Sequence, residues 1–81
     1  MAYIYKTKGT CSSNIVVDVE NDVVKDVKFM GGCNGNLQGI SRLVKGMPVR
    51  SVIDRLEGVH CGARSTSCPD QLCQALHEMG Y

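Results

Sequence analysis

The hydrophobic pattern of this chain changes period once, just after Phe29, and no other sequence feature restricts the fold as much. Before that point apolar and polar residues alternate, which is typical of strands with one buried face. After it, apolar residues recur every three or four positions, which is typical of amphipathic helices. A chain with its strands first and its helices last is expected to fold as an α+β layer, with the helices packed on one face of the sheet.

The alternating half predicts three antiparallel strands. Residues 2–8 form the first strand, which ends in a turn at Gly9 and Thr10. The other two strands form a hairpin whose turn lies around Asn21–Val23, because Asn and Asp favour turns.

The register of the hairpin follows from its apolar residues. Pairing Ile15 with Phe29 and Val17 with Val27 puts all four side chains on one face of the sheet. A two-residue turn would instead pair Val17 with Asp26 and place the two apolar sets on opposite faces. We therefore predict a loop with an odd number of residues.

Three helices are predicted in the second half, each with an apolar stripe that we expect in the core and a glycine that ends it. The stripes are Leu37, Ile40, Leu43, Val44 and Met47; then Val49, Val52, Ile53 and Leu56; then Leu72, Ala75, Leu76 and Met79. The glycines are Gly46, Gly58 and Gly80, and either Asn34 or Asn36 is the expected cap of the first helix.

Size and charge exclude several classes of protein. Residues 1–81 have room for a single domain with a thin core. Nine basic and eight acidic residues, with no run of Lys or Arg, argue against nucleic acid as a partner. No segment resembles a signal peptide or is long enough to span a membrane, so we expect a cytoplasmic protein without a membrane partner.

Five cysteines in 81 residues are expected to be ligands or reactive thiols, since thiols stay reduced in the cytoplasm. Cys11, Cys33, Cys61 and Cys68 lie in predicted loops and at helix starts, where ligands are often found. Cys73 lies inside the third helix beside its apolar stripe and is expected to be a buried core residue. The spacing matches no zinc-finger pattern, so metal ligands and redox thiols both remain possible.

Pro69 favours a helix that begins with it, which makes Cys68 the N-cap and Gln71 the third helical residue. A sulfur at that position would face unpaired backbone N–H groups and the positive end of the helix dipole, both of which favour thiolate. Thiolate is the form that binds metal and also the form that attacks, so this feature is compatible with both roles.

Other polar residues lie close to these cysteines. His60 is either a further metal ligand or a solvated side chain, and Asp70 either binds metal or complements the start of the third helix. Arg64 could bind an anion or lie on the surface. The glycine-rich loop Gly31–Asn36 lacks the Lys-Ser/Thr of a P-loop, so nucleotide binding is not favoured.

Four segments of the sequence resemble the TSCPD domain family, in its stand-alone members of about 80 residues with four cysteines. They are Gly9-Thr10-Cys11-Ser12, Gly31-Gly32-Cys33-Asn34-Gly35-Asn36-Leu37, Cys61-Gly62 and Thr66-Ser67-Cys68-Pro69-Asp70. The resemblance implies that Cys11, Cys33, Cys61 and Cys68 are the functional set, with Cys73 outside it.

The same domain occurs near the C-terminus of cobalamin-dependent ribonucleotide reductases, and stand-alone members often carry the name ribonucleoside-diphosphate reductase. Such a reductase needs a large barrel that 81 residues cannot hold. The resemblance therefore implies an accessory module, either a zinc module or a dithiol that passes electrons, with the reductase large subunit as a partner. For a site of four thiolates we expect Zn²⁺ first and an iron–sulfur cluster second.

A second resemblance, over residues 14–80, is to iron–sulfur scaffolds of the IscU and NifU type. It depends on Val27-Lys28-Phe29, Gly32-Cys33, Val44-Lys45-Gly46 and His60-Cys61. It implies the same order of strands and helices, and it departs from the scaffold pattern at Cys11 and at the additional Cys68.

Overall fold

The computed structural model describes residues 2–9, 12–31, 34–60, 62–63 and 66–81. These residues form the strands β1 (Ala2–Lys6), β2 (Ser12–Glu20) and β3 (Val23–Gly31), followed by the helices α1 (Asn34–Val44), α2 (Val49–Leu56) and α3 (Cys68–Glu78). The order confirms the predicted α+β fold.

The three strands form one antiparallel sheet in the order β1-β2-β3. Ile15 and Val17 on β2 are fully buried and belong to the same hydrophobic cluster as Leu72 and Leu76 of α3. Ile4, which points to the other face of the sheet, is 70% exposed. The helices therefore cover one face of the sheet, as predicted.

The β2–β3 register is the predicted one, but the predicted loop is wrong. Ile15 pairs with Phe29 and Val17 pairs with Val27. The strands are joined by a two-residue turn of Asn21 (φ 54°) and Asp22 (φ 62°). Two consecutive left-handed residues are the mark of a type I′ turn, which matches the twist of a hairpin.

A β-bulge reconciles the short turn with the register. Asp18 pairs with Asp26, but the next residue, Val19, pairs with Val24 and leaves Lys25 as an extra residue on β3. One extra residue changes the parity of the pairing, so both apolar runs stay on the buried face.

The core contains most of the predicted helical stripes. Val49 and Val52 of α2 and Ala75 of α3 are at most 1% exposed. Gly58 and Gly80 follow α2 and α3 and have positive φ angles, as helix-ending residues often do. None of the described helices has the length and apolar character needed to cross a membrane.

The first helix departs from its prediction in two respects. It begins at Asn34, so both expected cap residues, Asn34 and Asn36, lie inside its first turn. Leu37 and Val44 are buried as predicted, but Leu43 is 76% exposed. With about 100° of rotation per residue, Leu43 lies about 120° around the helix from Leu37, beyond the part of α1 that the sheet covers.

The linker between α1 and α2 pairs with the outer edge of β3. The Gly46 N–H donates to the Val24 carbonyl at 2.8 Å, and the Val24 N–H donates to the Met47 carbonyl at 2.9 Å. Pro48 forms an isolated antiparallel bridge with Val23. The linker thus continues the sheet for a short distance beyond its third strand.

Candidate functional site

The predicted four-cysteine site is only partly within the described residues. Cys11, Cys33, Cys61 and the neighbouring Arg64 lie outside them. Cys68 lies within them, at the first position of α3, and is 7% exposed. No three His, Cys, Asp or Glu side chains of the described ranges are grouped so as to hold a metal ion. The location of the candidate site is therefore followed through Cys68 and through the described residues that neighbour the other three cysteines in the chain.

Two of the connections that carry cysteines start at the same end of the sheet. Ser12, the first residue of β2, pairs with Gly31, the last residue of β3. Cys11 immediately precedes Ser12, and Cys33 immediately precedes the first residue of α1, Asn34. The residues that follow these two cysteines are therefore the first residues of β2 and of α1.

A groove of about 460 Å³ brings the neighbours of three cysteines together. Gly35 and Asn36, from the first turn of α1, line one side of it, and Cys68 with Pro69 lines the other. His60, directly before Cys61 in the chain, lines it as well. Its side chain is exposed, so its predicted role as a ligand stays a prediction.

The turn after β1 packs against the start of α3. A Cβ atom placed on Gly9 would lie 3.3 Å from Cγ2 of Thr66. The Lys8 N–H donates to Oε1 of Gln71 at 3.0 Å. Since Cys11 follows Gly9 by two residues, the described neighbours of all four cysteines lie near the first turns of α1 and α3.

The N-cap of α3 is Ser67, so the prediction that Cys68 caps this helix is wrong. The Ser67 hydroxyl accepts the Asp70 N–H at 3.2 Å, and its carbonyl accepts the Gln71 N–H at 2.8 Å. A serine hydroxyl is a far better cap acceptor than a thiol, which explains the shift by one residue. Pro69 has no N–H, and the N–H groups of Asp70 and Gln71 are hydrogen-bonded to Ser67. The backbone donors that were expected to face the Cys68 sulfur are therefore occupied or absent.

Asp70 stabilises the segment between α2 and α3. It is 8% exposed, and its Oδ1 accepts the Gly58 N–H at 2.8 Å while its Oδ2 accepts the Thr66 hydroxyl at 2.5 Å. Burial alone would raise the pKa of this carboxyl. The hydrogen bonds from Thr66, Gly58 and Gln74, together with nearby His60, outweigh burial and lower the pKa below its usual 3.8.

Two more hydrogen bonds complete this polar network. The Ser67 hydroxyl donates to the Val59 carbonyl at 2.6 Å, and Nε2 of Gln71 donates to Oγ1 of Thr66 at 3.0 Å. We call Thr66, Ser67, Asp70 and Gln71 the α3 clamp, because they tie the β1 turn and the end of α2 to the start of α3. Sequence reasoning missed the clamp, although a Ser followed three residues later by an acid is a capping signal.

Cys73 lies in the core, as its place in the helix predicts. It is fully buried, and its thiol lies 3.8 Å from the Val52 carbonyl. Burial, with smaller contributions from the charges of Glu57 and Asp70, raises the pKa of Cys73 to about 12. Cys73 is therefore a buried core thiol, away from the groove that Cys68 lines.

A comparison with protein families finds a match that covers nearly the whole chain. The family model described as the TSCPD domain matches residues 3–80, from β1 to just beyond α3. The match includes all four predicted site cysteines and the whole α3 clamp. No curated protein matches the chain. No solved structure matches it either, so the resemblance to iron–sulfur scaffolds stays a prediction.

Proposed function

Because this chain belongs to the TSCPD domain family, we propose that it is a small metal-binding module. In this proposal Cys11, Cys33, Cys61 and Cys68 hold one Zn²⁺ ion, and an iron–sulfur cluster is the alternative cargo. Four thiolates are a suitable ligand set for either, because soft sulfur ligands select both. His60 is a candidate for an additional ligand.

The observation that carries this proposal is the convergence of the neighbours of these cysteines. In the chain, Cys11 directly precedes Ser12, Cys33 directly precedes Asn34, and Cys61 directly follows His60. Gly35, two residues after Cys33, and His60, directly before Cys61, line the same groove as Cys68. This arrangement supports a single site rather than four separate thiols.

Asp70 and Cys73 lie near the proposed ligands but have other roles in the fold. Asp70 already accepts hydrogen bonds on both carboxylate oxygens, and Cys73 is held as a buried thiol. We therefore leave both out of the proposed set. A metal held by the other four cysteines would join the sheet end to the starts of α1 and α3, and its binding would add to the free energy of unfolding.

Metal analysis tests the proposal. We expect protein purified without oxygen to contain one zinc ion per chain and to be colourless, whereas iron with brown absorbance would indicate the cluster. Cys73→Ala is the matched control and should keep the metal that Cys68→Ala loses. A protein that is equally stable with and without a chelator would contradict a structural metal.

Counting the thiols distinguishes the metal proposal from the alternative that two of the cysteines form a redox-active dithiol. If two of the cysteines cycle between dithiol and disulfide, the denatured protein shows two fewer thiols without reductant than with it. Five thiols under both conditions would exclude that reading and leave the metal proposal in place.

The wider role we propose is that of an accessory module in ribonucleoside-diphosphate reduction, by similarity to the C-terminal domain of the reductases. The test is co-purification with a cobalamin-dependent reductase large subunit, using the metal-loaded chain. Absence of binding would contradict this role without affecting the metal site.

A further inference from the structure

The outer edge of β3 is covered only at its start by other described parts of the chain. β3 is the last strand of the sheet, so β2 is its one neighbour in the strand order. The linker between α1 and α2 pairs with the first residues of the outer edge, where the Val24 N–H and C=O groups are bonded to Met47 and Gly46. Beyond Val24, no described segment outside the sheet forms a backbone hydrogen bond with β3.

Two residues of this uncovered stretch present their backbone groups outward. Along a strand of an antiparallel sheet, successive residues direct N–H and C=O alternately to one side and to the other. Val24 directs these groups outward, to the linker. Val27 and Phe29 pair with the β2 residues two and four positions before the partner of Val24, with no insertion on β2 between them. The N–H and C=O groups of Val27 and Phe29 therefore also point away from β2.

A groove of about 460 Å³ lies between this edge and α1. Val27 and Phe29 line it from β3, and Leu37 and Gln38 line it from α1. Phe29 packs against the core cluster but is only half-buried, so part of its ring is available for contact. From the rise per residue and the spacing of strands and layers, one residue of a packed strand occupies roughly 160 Å³. The groove therefore has room for about three extended residues.

We propose that this groove, the β3 groove, binds an extended segment of a partner protein as a fourth strand of the sheet. The backbone of the segment would exchange hydrogen bonds with Val27 and Phe29, as in other complexes formed by strand addition. Residues directly opposite each other on neighbouring strands lie on the same face of the sheet. Every second side chain of the segment would therefore point towards α1 and contact Phe29 and Leu37, which favours apolar residues at those positions.

A second copy of this chain is a poorer occupant because of α1. Among the strands, α1 packs mainly against β3, whereas α3 packs against β1 and β2. Two copies joined antiparallel at their β3 edges would have both α1 helices on the same face, above strands only about 4.8 Å apart. Packed helices need about 8–10 Å between their axes. The two α1 helices would therefore clash, whereas an extended segment brings no such helix.

Amide hydrogen exchange tests whether the edge is open. We expect the N–H groups of Val27 and Phe29 to exchange at least about tenfold faster than the N–H of Val24, which is bonded to the linker. Equal protection of all three amides would show that the edge is already covered and would overturn the proposal.

A synthetic peptide tests the added strand. Its sequence is Lys-Val-Thr-Val-Thr-Val-Lys, blocked at both ends, and we expect it to shift the amide NMR signals of Val27 and Phe29 with a Kd below about 1 mM. Its Val residues would lie opposite Val27 and Phe29, so their N–H groups would face β3. N-methylation of the Val nitrogens should abolish binding. N-methylation of the Thr nitrogens, which point away from β3, should change the Kd by no more than about twofold.

A pair of variants locates the binding surface. Gln38 is exposed and lines the β3 groove, so Gln38→Trp should fill the groove and weaken peptide binding at least about tenfold. Leu43→Trp is the matched control, because Leu43 is 76% exposed on α1 and does not line this groove. Thermal unfolding of each variant shows that it is folded.

Several further results would overturn the proposal. They are no shift of the Val27 and Phe29 signals up to about 1 mM peptide, an equal loss of binding with both N-methylated peptides, or wild-type affinity in folded Gln38→Trp. Sedimentation velocity supplies one more: a wild-type dimer that Gln38→Trp converts to a monomer would make a second copy the occupant.

Discussion

The start of α3 and the remainder of that helix are held by different interactions. At the start, the α3 clamp uses hydrogen bonds from Ser67 and Asp70 to neighbouring segments. From Leu72 onward, the helix is held by apolar packing, and Leu72, Leu76 and Cys73 are fully buried. The clamp lies beside Cys68 at the groove, whereas the packed part belongs to the hydrophobic core.

The two cysteines of α3 show what this difference means for chemistry. They are five residues apart on one helix, yet Cys68 lines the groove and Cys73 lies in the core. The same functional group therefore borders a groove at one position and is enclosed by the core at the other. Each prediction below tests the difference between the clamp at the start of α3 and the packed core beyond it.

The largest effect is expected in the packed part. Leu76→Ala removes a fully buried side chain, so we expect a loss of about 2–5 kcal/mol in the free energy of unfolding. Leu43→Ala is the matched control, and its 76% exposure should limit the loss to about 0.5 kcal/mol. Urea denaturation measures both, and equal losses would contradict the assignment of the core.

The next effect is expected in the clamp. Asp70→Asn keeps the shape of the side chain but removes the charge that strengthens its hydrogen bonds from Gly58 and Thr66. We expect a loss of about 1–3 kcal/mol in urea denaturation. Asp54→Asn changes an exposed acid on α2 and should have little effect. A loss no greater than that of Asp54→Asn would show that the clamp does not stabilise the fold.

The stability contributed by Asp70 should also depend on pH. Because its folded-state pKa lies below the usual 3.8, the contribution is fully present above the unfolded-state pKa and is lost as pH falls through the folded-state value. Thermal unfolding between about pH 2 and pH 6, with a chelator present, should show wild type and Asp70→Asn converging below about pH 4. A constant gap between the two proteins would refute the shift.

The smallest effect is expected at Cys73, where we predict almost no reaction. With a pKa of about 12, only about one molecule in ten thousand carries the thiolate at pH 8. We therefore expect iodoacetamide to leave Cys73 unmodified in the folded protein and to modify it after denaturation, as measured by peptide mass spectrometry. Rapid modification in the folded state would place Cys73 outside the core.

The order of elements and the hairpin register could be predicted because each depends on a repeated pattern. Pairing Ile15 with Phe29 is specified by every apolar residue on both strands, since a slip would expose them all. The bulge at Lys25 could not be predicted in the same way. A two-residue turn with one bulge residue and a loop with an odd number of residues place the same side chains on the buried face. The apolar pattern shows only which face each residue occupies, so it does not distinguish between them.

The errors on α1 and α3 arise from competition that a sequence pattern does not resolve. Ser67 and Cys68 were both available to cap α3, and the hydroxyl of Ser67 is the better acceptor. Leu43 has helical spacing but lies at the margin of its stripe, where tertiary packing decides exposure. The four-cysteine site stays a prediction, and the clamp beside Cys68 could not be predicted because it links residues distant in sequence, such as Lys8 and Gln71.

The pairing of the α1–α2 linker with β3 has a consequence for how this protein can associate with itself. An exposed strand edge offers unpaired N–H and C=O groups to which another chain can add a strand, the step that begins fibril growth. Here the Val24 N–H and C=O groups are already bonded to Met47 and Gly46. Pro48, which bridges to Val23, has no N–H of its own to offer outward. The fold thus blocks sheet extension at this part of its edge by pairing the edge with its own linker.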